Sequence, residues 1–161
     1  MKTKIITALM ISAFSLIGFS QNVEFKAANF KDDKEGLKKA TDAIKKGDEY
    51  YTLANEAIFQ VQDPGLNYQL ALLEYMTAQK FNAKNAELNF KIGVCYANST
   101  DPFKSISYLN EAQKLDPACD PFMDYYYGYA LQLENKFDDA LKSYQNFENN
   151  YKKADNFAKF V

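Results

Sequence analysis

Apolar residues recur every three or four positions through most of the chain, which is the period of an amphipathic helix. The first such run begins at Asp32 or Asp33, includes Leu37 and Ile44, and continues toward Val61. A carboxylate suits the start of a helix because it accepts hydrogen bonds from the free N–H groups of the first turn. Alternation with period two is nowhere long enough after residue 31 to predict a strand, so the pattern predicts an all-α fold.

Turn signals rich in Asp, Asn, Pro and Gly divide this pattern into six helices joined by short connections. Two Asp-Pro pairs, at 101–102 and 120–121, each predict an N-cap followed by proline at the first helical position, where its missing N–H costs nothing. Residues 21–31 lack a helical period and are predicted to form an extended lead segment, with Phe25 and Phe30 packed on the helices. The predicted helices span residues 32–61, 67–81, 86–97, 102–115, 121–134 and 137–151.

The first twenty residues have the pattern of a secretory signal peptide. Two lysines precede an apolar stretch at 5–19, and Gly18 and Ser20 stand at the −3 and −1 positions of a cleavage site before Gln21. The alternative, a membrane anchor, would need a longer apolar stretch and a positive cluster after it. We therefore predict a signal peptide at 1–20, export to the periplasm, and no transmembrane segment in the mature chain.

The second half of the chain repeats itself. Gly93 and Gly128 lie 35 positions apart, and so do Ser105 and Ala140. This pattern resembles the tetratricopeptide family, in which small residues let two helices pack closely and the unit is about 34 residues long. The resemblance implies about three helical hairpins stacked in a right-handed superhelix, with units at about 32–85, 86–119 and 121–154. In the first unit about a dozen extra residues separate the two halves. The alternative is six unrelated amphipathic helices.

Three features follow one another along the chain: a signal peptide, the lead sequence QNVEF and the segment LNFKIGVCYANS at 88–99. This order resembles the N-terminal region of Bacteroidetes envelope proteins, in which tetratricopeptide repeats precede a WD40-like propeller and an OmpA-like peptidoglycan-binding domain. Some members are linked to gliding and type IX secretion. The resemblance implies association with the outer membrane. It also leads us to expect a fragment of a longer protein, since residues 157–161 look like the start of a further helix.

Composition narrows the chemistry that the chain can perform. It has no histidine, its 19 basic residues are all lysine, and its net charge is −2. A serine or cysteine nucleophile would lack its usual base, and no cationic surface is present for nucleic acid. Cys95 and Cys119 are predicted to lie too far apart for a disulfide, with Cys95 a small buried residue. The sequence therefore predicts a non-catalytic protein with no cofactor and no metal site.

The tetratricopeptide resemblance also implies a binding surface. In such repeats the concave wall comes from residues of the first helix of each pair that point away from the second helix. Applied to the second and third units, this rule predicts an aromatic groove of Phe90, Val94, Asn98, Phe122, Tyr125, Tyr129 and Gln132. Tyrosine buries a large area at little entropic cost, which suits a peptide-binding face. The alternative is that several of these rings fill the interior.

The function predicted from these features is an exported scaffold that binds a protein or peptide partner. The first unit would add Ile44, Asp48 and Tyr51 to the groove. A clamp for a C-terminal carboxylate is not expected, because Lys91 is the one cation at the corresponding positions. The alternative function is a periplasmic protein that binds a small molecule or a glycan, with the aromatic rings stacked on sugar faces.

Overall fold

A computed structural model describes residues 21–99 and 101–153, and no strand occurs in this part of the chain. The prediction of an all-α fold is therefore confirmed. The predicted signal peptide at 1–20 and the segment after residue 153 lie outside the described residues. The α-helices are α1 Lys34–Phe59, α2 Gly65–Phe81, α3 Ala86–Ala97, α4 Ser105–Leu115, α5 Met123–Leu133 and α6 Phe137–Lys153. Within the described ranges, no helix is both long enough and apolar enough to span a bilayer.

Short polar side chains set two of the helix starts that the sequence predicts. The Asp33 carboxylate accepts a hydrogen bond from the Gly36 backbone N–H at 2.7 Å, which caps α1. The Asn85 side chain accepts one from the Leu88 N–H at 2.9 Å, which caps α3. The prediction of α3 at 86–97 matches the observed bounds, and α1 is one continuous helix that ends two residues before Val61.

The prediction that Pro121 opens α5 is wrong, because the helix begins two residues later, at Met123. The carboxylate of Asp120 accepts a hydrogen bond from the backbone N–H of Phe122 at 2.8 Å. This bond closes a tight turn around Pro121 before the helix can start. The turn holds Asp120 and Phe122 side by side at the entry to α5.

The prediction for Pro102 is correct in position but not in the type of helix. Pro102–Lys104 is a single 3₁₀ turn, and α4 proper begins at Ser105. The Asp101 side chain makes no capping hydrogen bond and instead forms an ion pair with Lys104 at 2.6 Å. The Ser105 hydroxyl donates to the Pro102 carbonyl at 2.6 Å, which ties the 3₁₀ turn to the helix.

The helices pair as three antiparallel hairpins, α1 with α2, α3 with α4 and α5 with α6, and neighbouring hairpins touch through α2 and α3 and through α4 and α5. Each hairpin contains the same close contact, a glycine of its first helix against a large side chain of its second. A Cβ built on that glycine would lie 2.5–2.9 Å from the facing side chain. The contacts are Gly47 with Tyr75, Gly93 with Leu109, and Gly128 with Tyr144. The first hairpin thus shares the internal geometry of the other two.

The first hairpin is nevertheless longer. Tyr75 lies 28 positions after Gly47, whereas Leu109 lies 16 positions after Gly93. The extra residues continue both helices, so α1 runs about 12 Å further beyond its glycine than α3 does, at about 1.5 Å per residue. The far end of this hairpin, residues 58–66, is called the α1–α2 tip. It exposes four apolar side chains, Ile58, Phe59, Val61 and Leu66.

The lead segment is attached to the first hairpin, as the sequence predicts. The Phe25 ring stacks on that of Phe81 of α2 with centroids 6.4 Å apart, and the Phe30 ring packs against Phe81 at a tilt with centroids 4.8 Å apart. The Val23 N–H donates to the Lys84 carbonyl at 2.7 Å. The prediction of an extended segment is wrong from residue 26 onward, because successive backbone hydrogen bonds fold residues 26–33 into turns.

Candidate functional site

An aromatic cleft of about 470 Å³ opens between the second half of α1 and the start of α5. The extra length of α1 makes this cleft possible, since Ile58 and Phe59 form one of its edges. Phe90 of α3 is 2% exposed and contributes to its lining. The aromatic cleft is lined by Tyr51, Asn55, Ile58, Phe59, Phe90, Asp120, Pro121, Phe122 and Tyr126.

A chain of tyrosine and amide groups fixes the walls of the aromatic cleft. The Tyr68 hydroxyl donates to the Asn55 side-chain oxygen at 2.7 Å, and the Tyr51 ring lies edge-on to the Tyr68 ring at 5.8 Å. The Tyr126 ring meets Phe90 edge to face at 5.9 Å. Burial raises the pKa of Tyr126 to about 12, so this hydroxyl is neutral at physiological pH. The network links α1, α2, α3 and α5 around one opening.

Asp120 supplies the carboxylate of the cleft. It is half-buried, and one of its oxygens accepts the Phe122 N–H at 2.8 Å. Burial raises the pKa of this carboxyl, although the hydrogen bond from Phe122 acts against the rise. Among the described residues, Asp120 forms no ion pair, and no lysine lines the aromatic cleft. The cleft therefore combines aromatic faces with one uncompensated negative charge.

A second hollow, of about 420 Å³, lies beside the aromatic cleft and is more polar. Lys91 is 18% exposed there and forms ion pairs with Asp48 at 2.9 Å and Glu87 at 2.8 Å. Burial opposes the charge of Lys91, but the hydrogen bonds to these carboxylates raise its pKa overall. Because Lys91 is already bound to two carboxylates, it is poorly placed to hold the C-terminus of a partner. This polar hollow also borders the lead segment, through Asn22, Glu24, Phe25 and Lys26.

The predicted groove residues on α3 are more buried than a contact surface requires. Phe90 is 2% exposed and Val94 is fully buried, because this side of α3 packs toward α5. Phe90 still reaches the aromatic cleft, whereas Val94 does not line it. Asn98 caps the C-terminus of α3, and its side chain donates to the Val94 carbonyl at 2.9 Å. The structure corrects the exposure predicted for Phe90 and Val94.

On α5, Phe122 lines the aromatic cleft, but Tyr125, Tyr129 and Gln132 do not. Tyr125 is 43% exposed and lies 5.9 Å from the ring of Tyr144 on α6. Gln132 accepts a hydrogen bond from the Tyr144 hydroxyl at 3.0 Å, so its side chain also lies on the face of α5 that contacts α6. Tyr125, Tyr129 and Gln132 each lie 35 residues after a residue of α3, namely Phe90, Val94 and Ala97. The sequence rule therefore selected two residues that line the cleft, Phe90 and Phe122, together with residues of α5 that contact α6 of the same hairpin.

Sequence reasoning missed most of the cleft lining. Tyr51 was expected in the first unit, but Tyr126 and Asp120 were not selected. The tip residues Ile58 and Phe59 were also missed, although the dozen extra residues in the first unit were a visible signal that α1 runs past its neighbours.

Both cysteines of the chain lie among the described residues. Cys95 and Cys119 are free, and Cys95 is buried. Burial raises the pKa of the Cys119 thiol to about 12 and that of Cys95 further still, so both thiols stay protonated. No group of three or more acidic or thiol side chains within the described ranges is arranged to hold a metal ion.

Taken together, these features define a three-hairpin α-helical protein with an aromatic, acidic cleft. No family model, curated protein or solved structure matches the chain.

Proposed function

We propose that this protein is a non-catalytic scaffold of the bacterial cell envelope that binds an extended segment of a partner protein in the aromatic cleft. The observation that carries the proposal is the lining of that cleft. Five of its nine lining residues are aromatic, and such side chains supply most of the energy in many protein interfaces. Its volume of about 470 Å³ lies within the range of about 300–1,000 Å³ that is typical of ligand sites.

The polar hollow favours a peptide over a glycan as the ligand. The hollow neighbours the aromatic cleft along three segments. On α1, Asp48 lines the hollow and Tyr51, one turn later, lines the cleft; on α3, Lys91 lines the hollow and the preceding Phe90 lines the cleft. Before α5, Cys119 lines the hollow and the next residue, Asp120, lines the cleft. A ligand that follows these three segments would meet first polar and then aromatic groups. An extended chain with alternating side chains suits such a path better than a single sugar ring.

We also infer that the hairpins form a right-handed superhelix of the tetratricopeptide type. Three observations support this architecture: the hairpins stack in chain order, each contains the same glycine contact, and the later glycines are 35 residues apart. In such arrays each repeat contacts its neighbours and together they present an extended binding surface. A measured solution structure with a left-handed or closed arrangement of the three hairpins would contradict this inference.

The proposed location is the periplasm, in association with the outer membrane. It rests on the signal-peptide pattern of residues 1–20 and on the resemblance to Bacteroidetes envelope proteins. The docking of the lead segment is compatible with cleavage before Gln21, because Asn22 already accepts a hydrogen bond from the Ala86 N–H at 3.0 Å. Mass spectrometry of the protein from a periplasmic extract should find Gln21 at the N-terminus. An intact N-terminus in the cytoplasmic fraction would contradict the proposed export.

Photo-crosslinking in the native host tests the binding site directly. A photoreactive residue placed at Phe122 or Phe59 should capture one defined protein partner, and the same residue at the exposed Leu73 of α2 should not. Binding of the captured partner should then weaken in Phe122→Ala and persist in Tyr125→Ala. If binding of the partner weakened in Tyr125→Ala alone, the partner would lie on the face of α5 next to α6, and the assignment of binding to the aromatic cleft would be wrong. Capture of glycan but no protein would favour the alternative function.

A further inference from the structure

The carboxylate of Asp120 acts on both walls of the aromatic cleft. Its charge contributes to raising the pKa of Tyr51 on α1 and of Tyr126 on α5, in addition to the larger effect of burial. One Asp120 oxygen accepts the Phe122 N–H, and in the described part of the chain no hydrogen bond is made to the other oxygen. That second oxygen is therefore available to a ligand that enters between the aromatic rings.

No cation of the described structure neutralises this charge at close range. Lys91 attracts Asp120 weakly, but it is already paired with Asp48 and Glu87. Glu87 repels Asp120 and so adds to the negative potential. The adjoining polar hollow has the same bias, since four carboxylates and two lysines line it. A ligand with a positive charge would find electrostatic complementarity here, and an anionic ligand would be repelled.

The aromatic rings favour the same kind of ligand. The face of a Phe or Tyr ring carries partial negative charge and attracts an ammonium or guanidinium group, more strongly where water is excluded. Tyr51 and Tyr126 are partly buried against the core, so a cation that contacts these rings is partly removed from bulk water. The apolar stem of a lysine or arginine can lie along the same rings while its charged head reaches a carboxylate.

We propose that the aromatic cleft takes a lysine or arginine side chain of the partner segment, with its cationic head beside Asp120 and its stem against the rings of Tyr51, Phe122 and Tyr126. This inference rests on the proposed function, because it names the chemistry that the partner must carry. It specifies an extended basic peptide rather than an acidic or purely apolar one.

Selection from a random peptide library displayed on phage, against the mature chain, tests both claims separately. The inference expects enriched peptides to carry Lys or Arg next to an apolar residue. Replacing that residue by norleucine should weaken binding about tenfold, the size expected of a desolvated cation–aromatic contact. Asp120→Asn should have a similar effect on the basic peptide and little effect on the norleucine peptide. This variant keeps the acceptor for the Phe122 N–H, so the turn is retained.

Asp63→Asn is the matched control, because it removes the same charge and its side chain makes the same kind of turn bond, to the Gly65 N–H at 2.8 Å, outside the cleft. Enriched peptides that lose affinity in Phe122→Ala but carry no basic residue, or that ignore Asp120→Asn, would overturn the inference and leave the peptide-binding function standing. Failure to enrich any peptide sensitive to Phe122→Ala would refute the proposed function itself. Displacement of the peptide by N-acetyl-lysine amide at equal concentration would identify a small organic cation as the ligand and overturn the peptide assignment.

Discussion

Gly93 of α3 lies directly against Leu109 of α4, so that a Cβ on Gly93 would be 2.6 Å from the Leu109 Cγ and 2.8 Å from its Cδ2. Leu109 is fully buried and cannot move aside without disturbing the core. An overpacked core usually costs about 1–3 kcal/mol, and the better helix propensity of alanine offsets about 1 kcal/mol of that cost. We therefore expect Gly93→Ala to lower the free energy of unfolding by up to about 2 kcal/mol. Urea unfolding followed by circular dichroism measures the difference.

A double-mutant cycle provides the control for this prediction. Leu109→Ala removes the atoms that the new methyl group would strike and leaves a cavity in their place. In that background Gly93→Ala should become neutral or stabilising, because only the propensity gain and some cavity filling remain. An equal loss from Gly93→Ala in both backgrounds would show that the Leu109 contact is not the reason for glycine at this position.

The ends of α1 and α5 give a second prediction. In each case the second residue after the helix has a positive φ, which is the left-handed conformation, but the residue is Val61 after α1 and Asn135 after α5. Val61 has φ of 56° and Asn135 has φ of 61°. Asparagine tolerates this region, whereas valine does not, and a left-handed residue with a Cβ costs roughly 1–2 kcal/mol. Val61 is 94% exposed, so replacing it sacrifices almost no burial. Val61→Asn should therefore raise the free energy of unfolding by about 1 kcal/mol.

The reverse exchange at the other helix end checks the reasoning. Asn135→Val should destabilise the protein by a similar amount, because it creates at the end of α5 the strain that Val61 causes at the end of α1. Opposite signs for the two substitutions in a thermal unfolding measurement are expected. The same sign at both sites would mean that backbone conformation is not the deciding factor.

Most of the fold follows from local signals in the sequence. The carboxylate of Asp33 predicts the start of α1, and the glycines at 93 and 128 predict the close packing within the later hairpins. These predictions succeed because each depends on residues that are close in the chain or related by the repeat. The start of α5 was missed because residues 120–123 first form a turn, in which the Asp120 side chain accepts the Phe122 N–H and the Asp120 carbonyl accepts the Met123 N–H.

The candidate site was harder to predict because it depends on how far one hairpin extends past the others. Phe90 and Val94 have the composition of a contact surface, but the stacking of α5 on α3 covers them. Tyr125 occupies the position equivalent to Phe90, yet it faces α6 and solvent. The cleft includes Phe59 because α1 is long, and no periodic rule derived from a standard repeat would place that residue opposite α5.

Lys91 gives a third prediction, since it connects α1 and α3 through charge. Its ammonium group lies 2.9 Å from Asp48, which also accepts a hydrogen bond from the Tyr75 hydroxyl at 2.7 Å. Lys91→Met keeps the length of the side chain but leaves Asp48 and Glu87 without their cation. We expect the free energy of unfolding to fall by about 1–3 kcal/mol, between the values for exposed and buried pairs.

Lys38 supplies the comparison for Lys91. It pairs with Asp42 at 2.6 Å within α1, and the two side chains are 75% and 59% exposed. Lys38→Met should leave the free energy of unfolding almost unchanged, because solvent screens an exposed pair. Losses of equal size in Lys91→Met and Lys38→Met, measured by urea unfolding at the same ionic strength, would rule out a special role for the Lys91 network.

Asp120 gives the last prediction, which links the cleft to stability. Burial raises the pKa of this carboxyl above its ordinary value of 3.8, so the folded state binds the proton more tightly than the unfolded state does. The charged carboxylate therefore destabilises the fold at neutral pH, and this penalty disappears as the pH falls through the raised pKa toward 3.8. Asp120→Asn should accordingly be more stable than the wild type at pH 7, by a margin that shrinks as the pH is lowered.

Unfolding measured across this pH range, with Asp63→Asn as the control, separates the effect of burial from that of lost charge alone. Asp63 makes the equivalent turn bond at an exposed site, so its replacement should bring no comparable gain. If Asp120→Asn is less stable than the wild type at neutral pH, the carboxylate stabilises the fold, and its presence at position 120 is explained without a ligand. A more stable variant that has lost its affinity for basic peptides would instead show that the cleft retains a charge at the expense of stability, as binding sites commonly do.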